Sequence, residues 1–184
     1  MPRGKKNILI AGVPGVGKTV LLRNVLRHLA SATTRGFYTE EVREGAVRVG
    51  FSLRTIDGEL FTLAHVTAVV SRHRVGRYKV DLETFERVVD EELRVRKGVT
   101  AYIVDEVGKM ECLSPLFRKR VEEILESSAD VIATVAAKGN EFIEAIKKRD
   151  DITLVHLTRG NRDEVLKEVL KLSGLDKREG AVTT

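Results

Sequence analysis

The stretch that decides the fold is Gly12-Val13-Pro14-Gly15-Val16-Gly17-Lys18-Thr19. It follows an apolar run at residues 8–11 and precedes a segment in which leucine and valine recur at helical spacing. This pattern of glycines, followed directly by lysine and threonine between a strand and a helix, is typical of a phosphate-binding P-loop. Such a loop and the N-terminus of the next helix turn backbone N–H groups towards a phosphate. The sequence therefore predicts an α/β protein that binds nucleotides.

The residues that close the P-loop carry part of the expected chemistry. Lys18 brings a positive charge to the phosphates, and the Thr19 hydroxyl is a ligand for Mg²⁺. A second signal lies downstream, where an apolar strand at residues 102–104 leads into Asp105 and Glu106. Asp105 is predicted to hold Mg²⁺ together with Thr19. Glu106 is expected to orient a water molecule and to accept its proton during attack on the γ-phosphorus.

Further candidates lie near the same edge of the predicted sheet. Lys109 is expected to add positive charge near the phosphates, with a solvated turn lysine as an equal alternative. Thr134 ends the next predicted strand, where its hydroxyl can reach the attacking water or simply belong to the strand. Five arginines stay open as candidates for an arginine finger: Arg35, Arg43, Arg118, Arg159 and Arg162.

Composition narrows the class of protein. The 184 residues suffice for one α/β domain over residues 1–184. The only cysteine is Cys112, which excludes an intramolecular disulfide, and no apolar run is long enough to cross a bilayer. We expect a cytoplasmic protein without a membrane partner, and a monomer is favoured. Charged residues make up 32% of the chain and Gln is absent, as is typical of a thermophile.

The first half of the chain changes its pattern after the P-loop helix. Residues 36–80 alternate between apolar and polar side chains, with turn signals at Glu44-Gly45 and Asp57-Gly58. This predicts antiparallel hairpins inserted beside a mostly parallel sheet. Asp81 is expected to cap a helix that ends near Lys97-Gly98.

The second half alternates buried strands with helices. After the strand at residues 99–104, Ser114-Pro115 is expected to begin a helix. Strands are predicted at residues 131–135 and 152–157, with a short helix near residues 141–148 between them. Asn161 and Glu164 are expected to form a capping box for the last helix, and the polar tail from residue 174 is expected to fray.

Four blocks of the sequence together resemble one known family. They are residues 12–19, Gly-Phe-Tyr-Thr-Glu-Glu-Val-Arg at 36–43, Arg-Val-Gly-Phe at 48–51, and Val-Asp-Glu-Val-Gly-Lys-Met-Glu at 104–111. They resemble the small P-loop nucleoside-triphosphatases of thermophiles and their animal relatives, the cancer-related nucleoside-triphosphatases. The P-loop is common to unrelated families, whereas the second and fourth blocks are far more selective.

The resemblance implies a three-layer P-loop NTPase fold, RecA-like or nucleotide-kinase-like, with the hairpin insertion at one edge. It implies Mg²⁺-dependent hydrolysis of nucleoside triphosphates (ATP, GTP, CTP and UTP) to diphosphate and phosphate, with loose base preference. It also places nucleotide-binding segments at residues 12–19 and at Tyr102, Ile103, Val104, Asp105, Glu106, Val107, Gly108 and Lys109.

Two other functions remain open. A small-molecule or nucleotide kinase would share the P-loop, and residues 137–149 could form the lid that excludes water from its acceptor. A nucleotide-gated RNA-binding protein would use the basic clusters at residues 72–79 and 147–149. A nucleic acid partner is nevertheless disfavoured, because the net charge of +5 is spread among 27 acidic residues. Since no arginine finger or base contact can be assigned, we expect slow turnover and broad base specificity.

Overall fold

The computed structural model describes residues 6–29 and 33–175. In these ranges the chain forms nine strands, five α-helices and a 3₁₀ turn at Glu111–Leu113. The strands are β1 Asn7–Gly12, β2 Thr34–Glu44, β3 Val47–Thr55, β4 Leu60–His65, β5 Arg74–Val75, β6 Tyr78–Val80, β7 Ala101–Val107, β8 Asp130–Ala136 and β9 Ile152–His156. The helices are α1 Lys18–Leu26, α2 Leu82–Leu93, α3 Pro115–Glu126, α4 Glu141–Lys147 and α5 Arg162–Ser173.

The described strands form a single sheet in the order β5-β6-β4-β3-β2-β7-β8-β1-β9. The five strands from β2 to β9 in this order are parallel, and the remaining four continue the sheet in antiparallel pairs. This confirms the predicted α/β class with an antiparallel insertion. One strand, β8, separates β1, which leads into the P-loop, from β7, which carries Asp105 and Glu106.

The insertion begins inside a strand of the parallel core. Thr34 to Phe37 at the start of β2 pair in parallel with Ala101 to Val104 of β7. The same strand then runs on beyond this pairing and forms a hairpin with β3. The insertion therefore extends the core sheet, because a single long strand belongs to both parts.

Two apolar layers hold the helices on opposite faces of the sheet. One cluster joins Ile8 and Ile10 of β1, Ile103 of β7 and Ile132 of β8 to α1 and α5. The other cluster packs the alternate strand residues against α2, α3 and α4. Since side chains alternate along a strand, Asp105 belongs on the α1 face with Ile103. The sheet thus directs this carboxylate towards the helix that follows the P-loop.

Two predicted helix starts are confirmed, and one predicted end is wrong. The side chain of Asp81 accepts a hydrogen bond from Thr84 N (3.0 Å), and Ser114 accepts one from Phe117 N (3.0 Å). Helix α2 ends at Leu93 and does not continue to Lys97-Gly98. The buried Tyr102 hydroxyl donates to the Arg94 carbonyl (3.0 Å) and accepts from Arg96 N (3.2 Å). These bonds hold the chain after Leu93 in a non-helical path.

The predicted capping box at the last helix is also wrong. Asn161 precedes α5 but makes no side-chain cap hydrogen bond to it. Its amide oxygen accepts from Thr158 N (2.7 Å) and its amide nitrogen donates to the His156 carbonyl (2.9 Å). The side chain is thus used to close the loop between β9 and α5. The tail beyond residue 175 lies outside the described residues.

Among the described residues, no helix has the length and apolar character needed to cross a membrane.

Candidate active site

The P-loop contains two glycines at positions where any other residue type would have a strained backbone. Gly15 and Gly17 have φ values of 74° and 103°, in the left-handed region that favours glycine. Gly17 is also the residue that precedes the first turn of α1. Between them, the Val16 side chain is buried in the apolar layer with α1 and α5. The loop is therefore anchored to the core at Val16, and the backbone turns sharply on either side of that residue.

Lys18 is held between the start of the P-loop and the end of β7. Its ammonium group donates to the carbonyls of Gly12 (2.8 Å) and Val13 (3.3 Å). It also pairs with the Glu106 carboxylate at 3.0 Å, although Lys18 is only 6% exposed. The loop, its lysine and the second acidic residue thus lie within contact distance.

Asp105 is buried and holds two hydroxyl groups. One carboxylate oxygen accepts from the Thr19 hydroxyl at 2.6 Å, and the other accepts from the Thr134 hydroxyl. Burial raises the pKa of Asp105 above its ordinary value, while these two hydrogen bonds act in the opposite direction. The contacts join three elements, since Thr19 lies on α1, Asp105 on β7 and Thr134 on β8.

The Thr19 hydroxyl and the Asp105 carboxylate fit a magnesium ion by their chemistry. Both offer hard oxygen atoms, and a hydroxyl with one carboxylate is the protein part of a P-loop metal site. The described residues contain no group of three or more His, Cys, Asp or Glu that could hold a metal. The protein would therefore supply two ligands, and phosphate and water oxygens would complete the shell.

A second carboxyl group lies beside Glu106 and was missed by sequence reasoning. A Cβ atom placed on Gly108 would lie 2.9 Å from a Glu106 oxygen and 2.8 Å from a Glu111 oxygen. Burial, followed by the negative charge of Glu106, raises the pKa of Glu111 to about 8. Gly108 thus leaves room for two carboxyl groups, of which Glu111 is protonated near neutral pH.

The structure brings together only part of segment 102–109. The side chains of Tyr102, Ile103, Val104 and Val107 are buried inside the sheet and pack in the two apolar layers. Their side chains are therefore used in packing, and a role of these four residues in nucleotide binding stays a prediction. Lys109 is exposed in the turn after β7. The segment reaches the site through its acidic residues and the turn that follows them.

Thr134 has a different partner from the one expected. It is fully buried, and its hydroxyl donates to Asp105 and not to a position open to water. Thr134 lies within β8, in line with the alternative of a strand residue, and its hydroxyl in addition makes a definite polar contact. Thr134 supports the carboxylate that is predicted to bind the metal.

The five candidate arginines are separated by their contacts. Arg35 pairs with Asp57 and Glu92. It lies near the N-terminal end of β2, whereas Asp105 lies near the C-terminal end of the neighbouring parallel strand β7. Arg43 binds Glu41 and the Ala46 carbonyl in the hairpin. Arg118 donates to the Cys112 carbonyl (2.9 Å) and Arg159 is exposed. Of the five, Arg162 contacts the P-loop, because its guanidinium donates to the Val16 carbonyl at 3.3 Å.

The lid expected for a kinase is not formed by residues 137–149. Helix α4 lies in this segment, and its Ile143 and Ile146 are buried in the apolar layer that also contains α2 and α3. Lys147 donates to the Ala137 carbonyl (2.9 Å), and Arg149 pairs with Asp151. The segment is packed on the sheet, and these contacts do not favour a kinase lid.

A loop that binds phosphate, a lysine on its helix and the Thr19–Asp105 pair at one sheet edge define a P-loop nucleotide-binding protein. The family model described as NTPase matches residues 7–170 of the chain. The chain belongs to this NTPase family.

Curated relatives and solved structures agree with this assignment. "Nucleoside-triphosphatase THEP1" of Thermotoga maritima is 44% identical over 173 residues, with 94% of this chain and 98% of that protein covered. "Cancer-related nucleoside-triphosphatase" of Homo sapiens is 34% identical over 180 residues, with 90% and 95% covered. The crystal structure of THEP1 from the hyperthermophile Aquifex aeolicus superposes with a TM-score of 0.77 at 32% identity, covering 90% of this chain and 98% of that one. The family resemblance drawn from the motifs is confirmed.

Proposed function

We propose that this chain, a nucleoside-triphosphate phosphatase, uses Mg²⁺, accepts several nucleoside triphosphates and turns over slowly. One observation carries the proposal. The sheet edge where the Thr19 hydroxyl meets Asp105 at 2.6 Å also holds Lys18 3.0 Å from Glu106. The residues proposed to bind phosphate, to hold the metal and to accept a proton therefore lie together.

Each residue has a distinct part in this mechanism. The P-loop amides and Lys18 bind the phosphates, and Thr19 with Asp105 would hold Mg²⁺. Bound Mg²⁺ supplies positive charge that offsets the negative charge of the phosphates. Lys109, in the exposed turn, adds further positive charge as the reaction proceeds.

Glu106 is the proposed base for hydrolysis. Its carboxylate orients a water molecule and takes a proton from it as the water oxygen bonds to the γ-phosphorus. The bond between that phosphorus and the β–γ bridging oxygen breaks, and nucleoside diphosphate leaves. Glu106 is suited to this step because its side chain is 28% exposed, so that water can reach it.

Broad specificity and slow turnover follow from the same assignment. The residues given a role contact phosphate, metal or water, and none is assigned to the edge of a base. P-loop enzymes that lack an arginine on the transferring phosphate run about 10³ to 10⁵ times slower than those that have it. We therefore expect phosphate release from ATP, GTP, CTP and UTP at rates below about 1 s⁻¹.

Phosphate release from the four nucleotides, with Mg²⁺ and without any added acceptor, tests the proposal. We expect release from all four, loss of release on chelation of the metal, and loss in Asp105→Asn. Asp57→Asn is the matched control, since Asp57 is exposed and pairs with Arg35 near the N-terminal end of β2, away from the proposed site. A preference above about a hundredfold for one base, worth roughly 2.7 kcal/mol, would contradict broad specificity. Formation of NDP and a phosphorylated acceptor, without free phosphate, when a nucleoside or sugar is added would favour a kinase.

A further inference from the structure

Arg162, the first residue of α5, lies against the backbone of the P-loop. One guanidinium nitrogen donates to the Val16 carbonyl at 3.3 Å. A Cβ atom placed on Gly17 would lie 2.6 Å from the same nitrogen and 3.1 Å from the guanidinium carbon. The planar group therefore covers Gly17, the last residue before Lys18, and would have to move to admit a side chain there.

Hydrogen bonds at the end of β9 and in the β9–α5 loop set the position of the start of α5, from which the Arg162 side chain extends. Leu157 N, just after β9, donates to the Ala11 carbonyl of β1 at 2.8 Å. The Asn161 side chain then closes the β9–α5 loop through Thr158 N and the His156 carbonyl. These bonds tie the start of α5 to the strand that leads into the P-loop. The backbone from which the exposed Arg162 side chain reaches the loop is thus part of the folded framework.

The contact controls the direction of an amide in the P-loop. In a planar trans peptide, the C=O and the next N–H point in opposite directions. Because Arg162 holds the Val16 carbonyl on one side, the Gly17 N–H must point to the other side. That N–H belongs to the set of amides that a P-loop turns towards phosphate. Holding the carbonyl therefore fixes a phosphate donor before the nucleotide binds.

We propose that Arg162 is a positioning residue, which holds the P-loop in its phosphate-binding conformation and so sets the affinity for nucleotides. The inference rests on the proposed function and names the residue that prepares its phosphate site. Arg162 reaches phosphate through the loop and is not an arginine finger. Its loss should weaken the binding of nucleoside diphosphate and triphosphate equally, because the loop is needed in the ground state and in the transition state alike.

The variants Arg162→Ala and Arg162→Lys test this inference, with Lys167→Ala as the control. Lys167 is an exposed cation on the same helix, so its loss removes the same charge without touching the loop. Calorimetry gives the Kd of ADP with Mg²⁺, and phosphate release gives kcat and KM. We expect Arg162→Ala to raise both Kd and KM by about 3- to 30-fold, with kcat within about threefold of wild type. Arg162→Lys should recover part of the affinity, and Lys167→Ala should match wild type.

Four results would overturn the inference. Wild-type Kd and KM in Arg162→Ala would show that the contact does not prepare the loop. A kcat at least about a hundredfold lower at saturating nucleotide, with unchanged Kd, would make Arg162 an arginine finger. An equal loss of affinity in Lys167→Ala would show that the effect comes from the removal of a positive charge and not from the contact with the loop. If Arg162→Ala does not melt cooperatively, the Kd of Arg162→Lys decides, and a wild-type value overturns the inference. Absence of wild-type turnover would contradict the proposed function alone, because ADP binding would still report on Arg162.

Discussion

Replacing Thr134 by valine should lower both the stability of the folded protein and its affinity for Mg²⁺. Thr134 is fully buried on β8, and its hydroxyl donates to one carboxylate oxygen of Asp105. Valine has nearly the same shape but offers a methyl group in place of the hydroxyl. The oxygen of Asp105 on that side would lose its hydroxyl donor inside the sheet, while the Thr19 hydroxyl would still bind the other oxygen.

The size of the effect follows from the burial of this contact. A hydrogen bond to a charged group contributes about 1.5–3 kcal/mol, and burial prevents water from replacing it. In a protein of this length about 1 kcal/mol shifts the melting temperature by about 2–4 °C, so we expect Tm to fall by about 3–12 °C. Loss of a residue that orients a metal-binding carboxylate typically costs about 10- to 100-fold in metal affinity.

Thermal unfolding and a Mg²⁺ titration of phosphate release measure the two effects. Thr134→Ser is the matched control, because it keeps the hydroxyl and loses only a methyl group, at a cost of about 1 kcal/mol. We expect the serine variant to keep the wild-type Mg²⁺ requirement and the valine variant to need more Mg²⁺. The reasoning would be refuted if Thr134→Val reached half-maximal activity at the wild-type Mg²⁺ concentration.

The remaining predictions concern stability. The pKa of Glu111 is about 8 in the folded chain against an ordinary value of 4.5, so the folded state keeps a proton that the unfolded state releases. The stability of the wild type should therefore fall as pH rises from about 4.5 to about 8, by up to about 1.4 kcal/mol per pH unit, and Glu111→Gln should lack this contribution. Urea unfolding at pH 5, 6.5 and 8 checks it, and a difference between the two proteins that does not change with pH would contradict it. Ser114→Ala should cost about 1–2 kcal/mol in urea unfolding, because Ser114 accepts from Phe117 N (3.0 Å) and donates to Glu86 (2.7 Å); a cost below about 0.3 kcal/mol would refute this role.

Local patterns in the sequence predicted the parts of the molecule that depend on neighbouring residues. The P-loop, the apolar strand before Asp105 and the caps at Asp81 and Ser114 each rest on residues a few positions apart. Their geometry is set by backbone turns and by the spacing of helices and strands. These features therefore appear in the structure where the sequence placed them.

The rest depends on contacts between distant residues. The contact of Arg162 with Val16 joins positions 146 residues apart, and no local pattern distinguishes Arg162 from the other candidate arginines. Glu111 is buried although glutamate is usually exposed, because Gly108 lets its carboxyl group lie beside Glu106. The capping box failed because the Asn161 side chain is bound by Thr158 N, which competes with the helix for the same oxygen.

The rate of phosphate release by Glu106→Gln, measured beside its nucleotide affinity, tests the central claim most directly. Glutamine keeps the shape of Glu106 and removes the carboxylate that accepts the proton, so binding should persist while kcat falls by about 10² to 10⁴. Lys18→Ala is the comparison, and it should weaken binding as well as turnover, because Lys18 neutralises phosphate charge in both states. Hydrolysis by Glu106→Gln at a rate near wild type would contradict the mechanism proposed for this site.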